Sequence, residues 1–166
     1  MWRSGRLRRP GLLAAALAAV AGPAFAQALT ESSVRGYLAA QEKAWNERRL
    51  DAYFAGFTPD AMFVDQHRTP EETIVYGRSG LAQAKTAAHR FLATAQSVER
   101  GSVRSIRIAP SGSAARVLGF EVSTVTRGGR VRRVCAQTDQ TLVLSRGRVL
   151  SKGQTDNIVK CPPSAP

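Results

Sequence analysis

The sequence predicts an α+β domain in which three helices precede an antiparallel sheet. Apolar residues recur at helical spacing as far as about residue 95, and from there to residue 159 they alternate with a period of two. Glycine-containing turns divide this second half into strands. Because the helices come first and the strands follow in one run, the helices should pack together on one face of the sheet.

The first half of the chain supplies the helices. They are predicted over residues 30–48, 51–57 and 80–95, where apolar side chains form a stripe along one face. The predicted N-caps, each a small polar residue, are Thr30 or Ser32, Asp51 and Ser79. Between the second and third helices, the turn Thr58-Pro59-Asp60 leads into a short strand that ends at Asp65, and residues 66–76 are expected to form a loop.

The second half supplies the sheet. Strands are predicted over residues 102–108, 114–126, 131–144 and 148–159, with the second and third joined by a two-residue loop, Gly128-Gly129. This loop pairs Thr126 with Val131, and pairing continued outward places Leu118 opposite Asp139. The register of this hairpin therefore follows from the turn alone.

The predicted register also assigns side chains to faces. Leu118, Phe120 and Val122 share one face, which is the more apolar, so we expect the helices to cover it. Directly paired residues lie on the same face, which brings Cys135, Gln137 and Asp139 there. A one-residue slip or a bulge would instead turn Asp139 to solvent. The positions assigned to the outer face are mixed in polarity, namely Val117, Gly119, Glu121, Ser123, Arg132, Val134 and Thr138.

The N-terminus has the features of a signal peptide over residues 1–26. Arginines precede an apolar run, and Ala24-Phe25-Ala26 provides the small residues of a cleavage site. The alternative is a retained N-terminal anchor, although the run is short for a bilayer span. The prediction is a periplasmic or secreted protein with one domain over residues 27–161 and a disordered proline-rich tail over 162–166.

Charge and cysteine content narrow the possible partners. The chain carries a formal net charge of +12, but its arginines are dispersed through strands without interleaved aromatics, which favours a solvated sheet face over a nucleic-acid site. No stable membrane association is expected after signal removal. Cys135 and Cys161 are an even pair in an exported domain and predict a disulfide, because hairpin pairing places Cys135 near residues 158–159. Two free thiols are the alternative, and no metal site is expected.

The stretch from Ala44 to Asp65 carries a family resemblance. Its pattern W-N-x-x-x-L-D, followed by F-x-x-D-A-x-F-x-D, resembles the opening of the nuclear-transport-factor-2-like superfamily. That superfamily includes ketosteroid isomerases, polyketide cyclases and scytalone dehydratases. The resemblance implies a curved, cystatin-like sheet that encloses a cone-shaped apolar pocket with the helices.

The resemblance also implies roles for three polar residues. In ketosteroid isomerases an Asp after the first strand is the base, and a Tyr with a protonated Asp forms the oxyanion hole. Asp65 falls near the base position, Gln41 near the Tyr position and Asp139 near the late Asp. No metal or organic cofactor is implied. The expected ligand-binding residues are Trp45, Phe57, Phe63, Phe91, Phe120 and Gln137. Asp65 has the alternative of capping a loop, and His67 could form a dyad with it.

Three classes of function follow from the sequence. The first is an exported pocket domain that binds a small apolar or carbonyl-containing ligand. The second is a cofactor-independent isomerase, dehydratase or cyclase with Asp65 as general base. The third is a non-catalytic module that forms a homodimer or docks on a partner. The fold by itself does not choose among them, because one architecture hosts unrelated activities.

Overall fold

The computed structural model of the chain describes residues 28–163. The predicted signal peptide and the last three residues of the predicted tail lie outside this range. The described part has the order α1 (Glu31–Asn46), α2 (Leu50–Phe54), β1 (Phe57–Arg68), β2 (Thr73–Gly80), α3 (Leu81–Thr94), β3 (Gln96–Ile108), β4 (Ala114–Arg127), β5 (Arg130–Ser145) and β6 (Arg148–Val159). The α+β class predicted from the sequence is confirmed.

The strands form a six-stranded, unclosed, curved sheet in the order β2-β1-β6-β5-β4-β3. Neighbouring strands are antiparallel except for β1 and β6, which are parallel. Gly153 makes the close approach of β1 and β6 possible. It adopts a φ of +116°, and a Cβ at this position would lie 1.7 Å from the Met62 carbonyl oxygen.

Helix α1 lies across one face of the sheet and is bound to the free edge of β3. Thr30 and Ser33 form a capping box at its start. Near its end, the Asn46 side chain exchanges two hydrogen bonds with the Glu99 backbone, at 2.7 and 2.8 Å, and the Glu42 carboxylate accepts one from the Gly101 amide at 2.8 Å. These bonds satisfy polar groups of the edge strand that would otherwise be unpaired.

The register predicted for the β4–β5 hairpin is confirmed. Thr126 pairs with Val131, and Leu118 lies opposite Asp139. The prediction of which face the helices cover is wrong. Val117 packs with Val34 of α1 in one hydrophobic cluster, so the face covered by the helices is the one that alternates with Leu118. We call the covered face the concave face and the other the convex face.

Side-chain size explains this inversion. The concave face of β4 and β5 carries small residues such as Ala115, Gly119 and Ala136, and these let a helix approach closely. On the convex face, polar side chains cover the larger apolar ones: the guanidinium of Arg104 lies 5.2 Å from the centre of the Phe120 ring. The total hydrophobicity of a face was therefore a poor guide to its burial.

Two hydrophobic clusters hold the layers together. One joins the helices to β1 and contains the buried residues Leu50, Phe54, Phe57, Ala61, Ala88 and Leu92. The other joins α1 to the far half of the sheet and contains Leu29, Val34, Ala115, Val117 and Leu142. The space between the two clusters is where the cavity described below lies.

Several local expectations were wrong. The predicted loop over residues 66–76 belongs mostly to β1 and β2, which pair with each other through Val64 and Arg78. The expected turn at residues 58–60 lies within β1. Helix α2 begins at Leu50, so Asp51 does not cap it and instead accepts a hydrogen bond from Lys85 at 2.7 Å. Gly80, not Ser79, is the N-cap of α3.

The predicted disulfide is present between Cys135 and Cys161. Cys135 pairs with Val159 across β5 and β6, as the sequence register required. The bridge ties the chain beyond β6 to the convex face, where Cys135 and its neighbour Val122 are both buried. Among residues 28–163 no helix is long and apolar enough to cross a membrane.

Candidate functional site

A cavity of about 410 Å³ lies between α1 and the concave face. Its lining comes from α1, α2 and strands β3 to β6. The apolar part of the lining includes Leu38, Val103 and Val117, and the polar part includes Gln41, Glu99, Glu121, Thr138, Gln140 and Gln154. The cavity exists partly because Gly101 and Gly119 contribute no side chains to it. At Gly119 a Cβ would lie 2.7 Å from the Thr138 hydroxyl oxygen.

Carboxyl groups from three strands cluster at the inner wall of the cavity. Glu99 of β3 and Glu121 of β4 line it directly. Asp156 of β6 lies behind Gln154, whose amide nitrogen donates to the Asp156 carboxyl at 2.6 Å. Tyr53 of α2 also lines the cavity, which brings a phenol close to these acids.

Burial changes the acidity of this cluster. Desolvation raises the pKa of Asp156 to about 7, and the charge of Glu121 contributes to the rise. Burial also raises the pKa of Glu121, and that of Glu99 well above its usual range, with Glu121 and Asp156 adding to the effect on Glu99. The pKa of Tyr53 is raised for the same reasons. At neutral pH this wall therefore holds protons that ordinary carboxyl groups would have lost.

Two buried amide oxygens in the cavity wall have no partner among residues 28–163. They are the Oε1 atoms of Gln41 and Gln140. Gln140 uses its amide nitrogen to donate to Gln154, and Gln154 donates in turn to Asp156, so these three side chains form a directed chain of hydrogen bonds. The chain leaves the Gln140 oxygen as an acceptor in need of a donor.

The aromatic residues expected to bind a ligand lie mainly in the core. Trp45, Phe63 and Phe91 pack against the cluster that contains Phe57. The ring centres of Phe57 and Phe63 are 4.9 Å apart, and Tyr53 links Trp45 to Phe57 through further ring contacts. Phe120 does border the cavity, although the guanidinium of Arg104 packs over its ring. Tyr53, which contacts the rings of Trp45 and Phe57, is the member of this cluster that lines the cavity.

The three polar residues singled out from the sequence do not come together. Gln41 lines the cavity, as expected for its position on α1. Asp65 pairs with Asp156 across the parallel strands β1 and β6, and partial burial raises its pKa. His67 does not form the suggested dyad, because its Nδ1 bonds the Ile158 carbonyl at 2.9 Å and a bulge follows Asp65.

Asp139 and Gln137 lie on the convex face, which corrects the prediction that they line the pocket. Asp139 pairs with Arg116 at 2.5 Å, and Gln137 is exposed and accepts a hydrogen bond from Asn157 at 3.4 Å. Both residues were misplaced because the sequence analysis chose the wrong face of the hairpin as the one that the helices cover. Arg116 lies on the same face as Leu118, two positions away, and this opposite charge beside Asp139 was the sequence signal for a solvated face.

The acids of the cavity were missed for the same reason. Glu121 was assigned to the outer face, and Glu99 and Asp156 were not singled out. The available signal was the alternation of very small residues with Glu121 along β4, which indicates space beside an acid under a helix. Asp156 could not be found this way, because its neighbours depend on the parallel pairing of β1 with β6.

The fold resembles those of several solved structures. A ketosteroid isomerase-like protein from Erwinia carotovora atroseptica is 17% identical with a TM-score of 0.63, covering 80% of this chain and 100% of that chain. The beta subunit of a putative aromatic-ring-hydroxylating dioxygenase from Novosphingobium aromaticivorans is 18% identical with a TM-score of 0.65, covering 80% and 90%. An NTF-2 like protein of unknown function from Shewanella oneidensis is 17% identical with a TM-score of 0.56, covering 76% and 97%.

These similarities establish the architecture. The chain has the nuclear-transport-factor-2-like fold, as its opening sequence suggested. No protein-family model matches the sequence, and no curated protein matches it significantly. At this level of identity the similarity concerns the fold alone, so function has to be argued from the cavity.

Proposed function

We propose that this chain is an exported domain that binds a small organic molecule in the cavity beneath α1. The observation that carries the proposal is the cavity itself, whose volume of about 410 Å³ falls in the range of small-molecule sites. Its wall combines apolar side chains with buried amide oxygens that have no partner in the described part of the chain, and a bound molecule would satisfy them. The disulfide between Cys135 and Cys161 is compatible with the export part of the proposal.

Two neighbouring alanines of α1 provide a matched test. Ala39 and Ala40 are both exposed, but only Ala39 lines the cavity. Ala39→Trp should fill the entrance, whereas Ala40→Trp adds the same side chain to the same helix outside the cavity. We expect a fragment screen by ligand-observed NMR to find molecules that bind the wild type and Ala40→Trp but not Ala39→Trp. Equal binding by both variants, or no binding by the wild type, would contradict the proposal.

A second candidate function is proton transfer without a cofactor. The observation that favours it is the position of Asp65, whose pKa is raised by partial burial and which lies beside Asp156 across two strands. Asp65 is not among the residues that line the cavity, so it would act as general base from beside Asp156 at the cavity's edge. The Tyr53 phenol, which lines the cavity, would take the hydrogen-bonding role that the sequence had suggested for Asp139. Acidic C–H bonds beside a carbonyl group would be the substrates.

Asp65→Asn tests this candidate. The variant should fold normally, because Asp65 is partly exposed and has no ion pair among those found within residues 28–163. If the wild type exchanges deuterium at the α-carbon of any ketone or enone in a panel, we expect the variant to lose nearly all of that activity. Undiminished exchange by the variant would remove Asp65 from the mechanism, and an inactive wild type would leave binding as the function.

A further inference from the structure

The polar wall of the cavity carries several hydrogen-bond acceptors beside the hydroxyl groups of Tyr53, Ser102 and Thr138. Glu99 and Glu121 contribute carboxyl groups from adjacent strands, and Gln41 and Gln140 contribute amide oxygens that are buried without a partner among residues 28–163. The amide nitrogen of Gln140 is already used, because it donates to Gln154. A ligand that satisfies the two amide oxygens must therefore bring donors.

Acidic side chains of α1, β1, β3, β4 and β6 act on the same region. Beside Glu99 and Glu121 lie Asp156 of β6 and Glu42 of α1, and Asp65 of β1 in turn acts on Asp156. The basic groups in the lining are Arg35 and Lys43, which are exposed on α1 and paired with Glu31 and Glu47 at 2.7 and 3.8 Å. Buried carboxylates need a positive charge beside them, and these two exposed basic groups are already paired. The positive charge therefore has to come from elsewhere.

The rest of the lining is apolar. Leu38 of α1 and Val103 of β3 line the cavity and pack against the cluster that contains Val117, which also lines it. This surface would contact hydrocarbon and would not solvate a bare ion. The cavity thus has one wall suited to a charged donor and one suited to a carbon skeleton.

We propose that the cavity binds a small organic ammonium ion, with its nitrogen between Glu99 and Glu121 and its hydrocarbon against Leu38, Val103 and Val117. An alkylamine or arylalkylamine has the required chemistry. This inference rests on the proposed function, since it names the class of molecule that the same cavity takes.

The pH dependence of binding distinguishes this ligand from a neutral one. Burial raises the pKa of Glu121 and raises that of Asp156 to about 7, so an ammonium ion that binds beside these groups would displace a proton. Affinity for an amine should therefore increase as the pH rises through about 5.5 to 7, while the amine itself remains protonated. A ketone would need a protonated carboxyl or phenol as donor, so its affinity should fall over the same range.

Isothermal titration with matched probes tests the inference. We would compare phenethylamine with 2-phenylethanol and 4-phenyl-2-butanone at pH 5.5 and 7. Phenethylamine should bind, and its affinity should increase by about tenfold between these pH values if one proton is displaced. A neutral probe that binds as tightly as the amine, or an amine affinity that falls with pH, would overturn the inference.

Substitution locates the nitrogen. Glu121→Gln should weaken phenethylamine binding by about tenfold or more, because a charge-assisted hydrogen bond is lost, and should leave 2-phenylethanol little changed. Asp139→Asn removes the same charge from the convex face and should change neither affinity. Circular dichroism checks folding, and Glu99→Gln serves as a second variant if Glu121→Gln does not fold. Amine binding that is unchanged in the folded variant would overturn the inference.

Two other outcomes separate the inference from the proposed function. Neutral probes that bind the wild type but not Ala39→Trp, with no amine binding, would overturn the ammonium inference and leave the binding function standing. Tight binding of Ca²⁺ alone that Glu121→Gln abolishes would also overturn it, in favour of a metal ion. No binding by any organic probe would remove both proposals.

Discussion

The concave and convex faces of the β4–β5 hairpin differ in a way that runs against simple hydrophobicity. The convex face carries Leu118, Phe120 and Val122, yet no helix within residues 28–163 covers it. The concave face carries Gly119 and Glu121, and α1 lies over it. The comparison shows that small side chains select the covered face, because they allow a helix to approach and leave a cavity beneath it.

The two faces also treat carboxyl groups differently. On the convex face Asp139 has a guanidinium partner, Arg116, at 2.5 Å. On the concave face Glu99 and Glu121 have each other as neighbours, and burial raises the pKa of both. Acids in such an arrangement cost free energy when they ionise, so a folded protein retains them at the expense of stability.

The largest expected difference between the faces is in pH dependence. The pKa of Asp156 is about 7 in the folded protein, compared with its ordinary 3.8, so the folded state binds more protons than the unfolded state between these values. The free energy of unfolding should therefore fall as the pH rises, by about 4 kcal/mol from Asp156 alone. Urea unfolding between pH 4 and 8 measures it.

Two variants check the origin of that slope. Asp156→Asn should reduce the dependence of the unfolding free energy on pH, because the amide does not titrate. Asp51→Asn should leave the slope between pH 5 and 7 unchanged, since the hydrogen bond from Lys85 lowers the pKa of Asp51 and moves its titration below that window. Stability that increases with pH in the wild type would contradict the description of the concave face as a buried acidic wall.

The disulfide is expected to stabilise the convex face around Cys135 and Val122, both of which are buried there. The bridge between Cys135 and Cys161 spans 26 residues, and a loop of this length corresponds to about 3.5 kcal/mol in the chain-entropy description. The double variant Cys135→Ser, Cys161→Ser should lose stability of this order in chemical unfolding. Retention of full stability would mean that the convex face around Val122 holds without the bridge.

A matched pair of leucines compares the two faces directly. Leu142 lies on the concave face and is 0% exposed, whereas Leu118 lies on the convex face and is partly exposed. Leu142→Ala should cost about 3 kcal/mol or more, because it leaves a cavity in a packed cluster, and Leu118→Ala about 1 kcal/mol. Equal losses in urea unfolding would show that the convex face is as well packed as the concave one.

The smallest effect is expected from the ion pair of the convex face. Arg116 is well exposed, so its attraction to Asp139 is screened by water and salt. Arg116→Ala should leave the thermal midpoint almost unchanged at physiological ionic strength. A large loss would indicate that Arg116 covers apolar surface, and Arg116→Met, which keeps the length of the side chain without the charge, would then restore stability.

The sequence predicted local features well where one turn or one periodicity decides them. The two-residue loop Gly128-Gly129 fixed the pairing of Thr126 with Val131, and this register in turn placed Cys135 beside the end of β6. The sequence predicted secondary structure poorly where polar residues form strands. Most of β2 was expected to be a loop, and this expectation failed because β2 is formed by its pairing with β1, which strand periodicity alone does not reveal.

The candidate site was predicted only in part for a related reason. Gln41 was found because a polar residue on an apolar helical stripe is visible in the sequence. Glu121 and Asp139 were exchanged between faces, because both choices of face satisfy the alternation of a strand equally well. Their true positions depend on where α1 lies, which strand alternation does not specify.

The sequence by itself determined the α+β class, the hairpin register and the disulfide, because each depends on local periodicity, turn chemistry or short-range pairing. Only the tertiary structure decided which face of the sheet became the interior. That decision depends on the fit of α1 against Ala115 and Gly119 and on the parallel contact of β1 with β6, both of which join distant parts of the chain. The same packing brings Glu99, Glu121 and Asp156 to one wall and creates the cavity on which the function is proposed.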